Sequence, residues 1–408
     1  MALCAAAPAR GGEIRRESVE VLRAFTARAL ERARVRGASV ALVRSGRVVW
    51  TGSFGVRDAR TGQPVTSDTV FEAASLGKVV AAYAALGLVE EGRWSLGMPV
   101  RTPALDVDAR CESPSLVQLL SHTAGLGNDL SARRYRPACR PGASFSYAGQ
   151  GYIVLHHLFE AETGEPAGRF VEDRVLRPLG MTRSTYEQPE PEGRATGHAD
   201  LVLGMFIGCA RSADRIGGIA AILIAGAACL WLNRRTWKRF AAKRAAPLIV
   251  LEWIAALLLL VAAGSVTIVP IEPWSRRVLL ASSLHTSVDD LTRFVLELMR
   301  PTLVSEATRD EMLRPRVDVD SGIAWGAGIG IDRSAEPTTY WHWGSNPGFQ
   351  SLIVFEPNER DAVIVLTNTG GGLDFLSDRL GGYNMAKEVA RRALGINGAW
   401  DLLRAAPQ

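Results

Sequence analysis

The chain of 408 residues is long enough for two or three domains and a sizeable core. Its net charge of +5 has one address: residues 233–244 carry six basic and no acidic residues, and the rest of the chain holds 41 basic against 42 acidic. A nucleic-acid binder would spread its basic residues over a folded surface, so that class is excluded, whereas a hydrophobic content of 47% leans toward membrane contact.

The N-terminus lacks the basic start and long apolar stretch of a complete export signal. Ala5 to Ala9 nevertheless resemble the end of one, so the natural start is expected upstream. Residues 14–36 follow as an amphipathic helix with Val19, Leu22, Phe25 and Leu30 on its apolar face. Two apolar runs around a turn at Ser45-Gly46 predict a hairpin over 38–52. Next comes Ser75-Leu76-Gly77-Lys78, opening a run to Val89 that is apolar on nearly every face and stops at Gly92. Such a helix is buried on all sides. Residues at i and i+3 share a helix face, so Lys78 can reach the Ser75 hydroxyl in a dry place. A desolvated lysine loses part of its preference for charge and can act as a base. The helix start adds N–H groups and a positive field suited to an oxyanion.

A second helix is expected over 115–121, and a third after Tyr147 carrying His156 and His157. That histidine pair lies near Glu160, but no further ligands are spaced for a metal, so it reads as a helix face. The five cysteines, Cys4, Cys111, Cys139, Cys209 and Cys229, form no metal-type spacing either. Cys111 and Cys139 could pair outside the cytoplasm; two free thiols are the equal alternative.

Residues 216–232 are seventeen in a row without a charge, and 253–271 are nineteen more. A spanning helix needs about 17–25 apolar residues. Buried core helices are the competing reading. The six-charge loop between the runs favours a membrane hairpin with that loop in the cytoplasm and both flanks outside. An even number of spans leaves residues on either side of the insertion free to fold together. Beyond it, Ser287 is placed to cap a helix. Strands are expected over 323–331, 338–343, 349–355 and 362–367, with a closing helix over 374–394.

With these motifs in order, the chain resembles the serine β-lactamase and penicillin-binding-protein-like family, most of all its class C and esterase-like members. Ser75-Leu76-Gly77-Lys78 resembles the family's first motif. Leu119 to Leu126 is similar to its Leu-Leu-Ser-His-Thr-Ser-Gly-Leu segment, and Tyr147-Ala148-Gly149 to Tyr-x-Asn. His342-Trp343-Gly344-Ser345 resembles the Lys-Thr-Gly strand in its His-x-Gly form. Pro178 to Met181 and Ala195 to His198 match further family segments. The likeness covers 40–200 and 281–370.

The resemblance implies an α+β fold of the β-lactamase/transpeptidase type: an antiparallel sheet flanked by helices, plus a helical subdomain, interrupted by the inserted two-helix transmembrane hairpin. The domain boundaries are 14–200, 201–280 and 281–396. It further implies catalytic roles for Ser75, Lys78, Tyr147 and His342, and substrate contacts at Gly344, Ser345 and Gly149. Tyr147 would relay a proton, its pKa lowered by neighbouring positive charge. His342, on an edge strand, would bind a substrate carboxylate or polarise Tyr147. The N–H groups of Ser75 and Ser345 would form the oxyanion hole, and His122 would be structural.

Two departures stand out: Gly149 replaces the asparagine of Tyr-x-Asn, and a histidine replaces the lysine of Lys-Thr-Gly. Both argue against efficient β-lactam hydrolysis. The expectation is therefore a membrane-anchored, extracytoplasmic serine hydrolase that uses no metal or organic cofactor. Its substrate would be a D-amino-acid peptide, an ester or a β-lactam, and its partners a small or cell-wall-derived substrate and lipid. The rival is a catalytically silent peptidoglycan-binding or scaffold protein with the same fold.

Overall fold

The computed structural model describes residues 17–128, 134–189, 192–200, 268–271, 278–370 and 382–400. The expected N-terminal hairpin is β1 (Gly37–Arg44) and β2 (Arg47–Asp58), followed by β3 (Gln63–Pro64) and β4 (Phe71–Ala74). Ser45 and Gly46 both take positive φ, 50° and 74°, as a tight two-residue hairpin turn demands. β5 (Gly197–Asp200), β6 (Ile268–Ile271) and β7 (Leu284–Thr286) are short. The C-terminal part supplies β8 (Val317–Asp320), β9 (Ile323–Trp325), β10 (Gly330–Asp332), β11 (Thr339–Asn346), β12 (Phe349–Glu356) and β13 (Asp361–Thr367).

Nine of these strands form one sheet in the order β3-β2-β1-β13-β12-β11-β10-β9-β8. β1 pairs antiparallel with β13 from Ala38↔Thr367 to Val43↔Ala362, so the two ends of the chain meet at the middle of the sheet. β12 and β13 are buried at every position. Their near-continuous apolar sequence fits strands covered on both faces. One face carries α1 (Val19–Ala33), with Leu22, Phe25 and Leu30 turned inward, and the C-terminal helix Gly382–Leu394, with Met385 and Val389.

The other face carries α2 (Leu76–Glu90), twelve of whose fifteen residues are buried. The helical part adds α3 (Leu116–Leu120), α4 (Gly149–Thr163), α5 (Ala167–Val171), α6 (Val288–Met299) and α7 (Glu306–Leu313); the C-terminal helix is α8. Ser287 caps α6 as expected, its hydroxyl accepting from Asp290 N–H at 3.2 Å. Cys111 and Cys139 are joined in a disulfide.

Three expectations are corrected or bounded. The strand expected over 323–331 is two, β9 and β10, folded back at Gly326 to Gly328. Gly328 has φ 87°, and a Cβ there would lie 2.5 Å from that of Ala82 on α2, so only glycine fits the turn. The second apolar run was expected to be helical to 271, yet its last four residues are β6, paired with β5 from Gly197↔Ile271 to Asp200↔Ile268. Pro270 cannot donate to a helical ladder, and Ile268, Val269 and Ile271 suit a strand. The run 216–232, the basic loop 233–244 and the stretch 253–267 lie outside the described residues. Among the described residues no helix is long and apolar enough to cross a membrane.

Candidate active site

β4 delivers the chain into α2 through Ala74, whose φ is 52°, a left-handed conformation that costs a non-glycine residue energy. Ser75 then occupies the position that would cap α2, but its hydroxyl bonds to none of the helix N–H groups. It faces Lys78 instead, with Nζ 2.8 Å from Oγ. Lys78 is 2% exposed and also donates to Ala281 O at 2.6 Å. Burial with no carboxylate beside it pulls the lysine pKa down from 10.5 to about 7. The neutral amine can keep one N–H on Ala281 and turn its lone pair to the serine proton.

Lys78 Nζ sits 5.2 Å from the centre of the Tyr147 ring and 5.9 Å from that of Tyr152. Tyr147 is partly exposed as a residue, yet its hydroxyl oxygen is sealed and closes no hydrogen bond among the described residues. The expectation that positive charge lowers its pKa does not hold. Burial raises it, and the nearby Ser75 hydroxyl offsets only part of the rise. Tyr147 is therefore a neutral phenol that can hand over a proton and take one back.

His342 is not on an edge strand. β11 lies between β10 and β12, although β10 reaches only as far as Trp341. Residues 342–346 thus have no β10 partner and run beside β4. His342 is fully buried, and burial followed by the Lys78 charge pulls its pKa down to about 3. It is neutral, so it offers no cation to a substrate carboxylate. Its Nδ1 is 2.6 Å from Trp343 O, which makes Nδ1 the donor and leaves Nε2 bare.

Gly344 passes so close to β4 that a Cβ would meet Ala73 O at 2.1 Å. Ser345 is exposed, its hydroxyl accepting from Gln350 Nε2 at 2.9 Å. Gly149 opens α4, and its N–H donates to Asn128 Oδ1 at 2.9 Å. The side-chain amide absent from position 149 is thus brought to the same helix start by Asn128.

The structure brings Ser75, Lys78, Tyr147 and His342 together and sets Gly344 and Ser345 beside the nucleophile's strand. His156 and His157 both pair with Glu160 on α4, at 3.1 and 3.2 Å, as a helix face. No group of His, Cys, Asp or Glu among the described residues is arranged to hold a metal. His198 is buried and its Nδ1 meets Asn368 O at 3.0 Å, a structural role. Two participants had no readable sequence signal: Ala281, which contributes only a carbonyl, and Glu72. Glu72 is buried on β4, with burial raising its pKa to about 7, and it accepts from Asn346, the residue after Ser345.

The family model described as Beta-lactamase matches residues 22–381. Esterase EstB of Burkholderia gladioli is 29% identical over 206 residues, 42% of this chain and 52% of the esterase. The match thus spans about half the length of that relative. The octameric penicillin-binding protein homologue from Pyrococcus abyssi superposes with a TM-score of 0.65 at 19% identity, covering 93% of this chain and 80% of that one. The D-amino acid amidase from Ochrobactrum anthropi SV3 gives 0.65 at 19%, covering 92% and 97%. At these identities the structures establish the α+β fold alone.

Proposed function

The chain belongs to the Beta-lactamase family, and from that premise we propose that it is a serine hydrolase that cleaves a neutral carboxylic ester through an acyl-enzyme on Ser75 while anchored to a membrane. The observation that carries the chemistry is the 2.8 Å contact between Ser75 Oγ and a buried Lys78. Ser75 Oγ attacks the ester carbonyl carbon as its proton passes to Lys78 Nζ. The N–H groups of Ser75 and Ser345 receive the oxyanion. On collapse the carbon–oxygen bond breaks, Tyr147 protonates the departing alkoxide, and the Lys78 ammonium reprotonates Tyr147. Water then attacks the acyl-enzyme, losing its proton to the same amine, and Ser75 departs with a proton restored.

The choice of a neutral ester rests on His342. Where a cation would hold a substrate carboxylate, this strand presents a sealed, neutral imidazole. Cell-wall peptides with a free C-terminus and β-lactams both carry that carboxylate. A second reading, a D-amino acid amide, also lacks it. Anchoring is supported by the charge-free run 216–232 and the basic loop 233–244. It is also supported by β5 and β6, which set the two ends of the segment 201–267 side by side. The disulfide favours an oxidising, extracytoplasmic setting.

The test is a panel of short-chain esters, D-amino acid amides, D-Ala-D-Ala peptides and a chromogenic cephalosporin, run on wild type and Ser75→Ala. Neutral esters should turn over fastest and Ser75→Ala should be silent on all of them. A fluorescent phosphonate should label wild type and not the variant. Absence of labelling would favour the silent binding module, and a preference for the cephalosporin would defeat the argument from His342.

A further inference from the structure

His122 was expected to be structural, and three observations set it apart from a packing residue. It is 1% exposed yet holds φ at 57°, a left-handed conformation that a bulky side chain adopts at a cost and that clusters at functional sites. Its Nδ1 accepts from Ala148 N–H at 3.1 Å. A nitrogen that accepts carries no proton, so the proton of this neutral ring is on Nε2. That Nε2–H is buried and closes no hydrogen bond among the described residues. Neutrality follows from burial, reinforced by the nearby Lys78 charge.

The ring lies against Tyr147, their centres 4.4 Å apart, whereas Phe145 and Trp325 stand at 5.9 and 5.5 Å. His342 also neighbours Tyr147, its ring centre 6.1 Å away and its bare Nε2 likewise sealed and unbonded among the described residues. Three buried polar atoms on these neighbouring rings thus close no hydrogen bond among the described residues: a donor on His122, an acceptor on His342, and the Tyr147 hydroxyl. A buried donor without an acceptor costs about 1–3 kcal/mol, so an arrangement with three such atoms needs a compensating use.

We propose that His122 is a positioning residue for the reaction, its Nε2–H holding the Tyr147 hydroxyl oxygen so that the phenol proton is directed to the departing group. The bond is open in this structure, and catalytic hydrogen bonds of this kind tighten as a substrate seats. Donation to the phenol oxygen also stabilises the charge that builds there as its proton leaves. His122 never touches the substrate; its effect is passed through Tyr147. The inference rests on the reading of Ser75, Lys78 and Tyr147 given above.

The test exploits leaving groups. A p-nitrophenolate departs without a proton, whereas an alkoxide needs one. His122→Asn keeps an acceptor for Ala148 N–H and tolerates positive φ, but loses the Nε2 donor. It should lose about 10²-fold in kcat on an ethyl ester, within the usual worth of general acid catalysis. On the p-nitrophenyl ester of the same acid it should lose less than about fivefold, with KM little changed on both. His122→Gln, which places an N–H near the old Nε2, should recover most of the ethyl ester activity. Thermal unfolding of both variants checks that they fold. Equal losses on the two esters, no loss at all, or failure of His122→Gln to restore the ethyl ester would overturn the inference. Ser75→Ala serves as the separate control: if it still hydrolyses either ester, the reading of the site fails, not the role of His122.

Discussion

Lys78 is brought to neutrality by burial and not by a second cation, which ties activity and stability to one number. The base must be unprotonated, so kcat/KM on a neutral ester should rise with pH and level off above about 7. Lys78→Arg, which cannot lose its proton in this range, should remove that limb and lower kcat/KM by about 10³-fold. The stability effect has a definite sign. Unfolded, the lysine titrates at 10.5; folded, at about 7. Between those values the unfolded chain binds more protons, so stability rises with pH across that window. Lys78→Met should therefore be the more stable protein at pH 6, by an amount on the order of 5 kcal/mol at most, with the gap closing toward pH 10.5. Urea denaturation at several pH values measures it. Glu72 runs the other way. Its carboxyl is raised from 4.5 to about 7, so its cost is absent below 4.5 and fully present above about 7. The Ser75–Lys78 contact was readable because a three-residue spacing on a helix fixes which side chains meet. The direction of the Tyr147 shift was not readable, because burial dominates it and burial is set by residues far away in the chain.

Elements carry the next set of consequences. β11 serves the site only because Gly344 lets it lie on the Ala73 carbonyl. In Gly344→Ala the new methyl would force the strand away from β4, displacing Ser345 relative to Ser75. A displacement of about 1 Å can cost about 10²-fold, so kcat/KM should fall by that order while circular dichroism stays close to wild type. The disulfide pins the loop leading to Tyr147 across a separation of 28 residues. Replacing both cysteines with serine should lower the unfolding free energy by about 3–4 kcal/mol, read by denaturant melts with and without reductant. Strands β1, β12 and β13 were legible as near-continuous apolar runs between turns, and α2 as a run apolar on all faces. The pairs β4–β7 and β5–β6 were not. Each strand is four residues or fewer and is held by a partner far away in sequence, so local pattern carries little of its signal. The division of 323–331 turned on contacts of Gly328 with α2, which no periodicity records.

On the scale of the whole molecule, β5 and β6 bring the chain before residue 201 and after residue 267 side by side, with Asp200 opposite Ile268. Joining 200 to 268 by an Asn-Gly turn matches a two-residue hairpin connection. On the anchoring proposal the shortened chain should fold, keep kcat/KM on neutral esters within a few-fold and be recovered without membranes, whereas the full chain should be recovered with them. A shortened chain still recovered with membranes would remove residues 201–267 as the anchor. One pairing described above reaches further. β1 and β2 come from before the interruption, β8 to β13 from after it, and β1 locks directly onto β13. The amine at the reaction centre sits before the break, and the carbonyl of Ala281 that steadies it sits after. Neither fragment of a polypeptide cut within 201–267 owns a finished sheet or a steadied base. Turnover would then report reassembly of the two pieces, and the protein could be recast as a complementation sensor whose signal appears only when its severed parts are brought together.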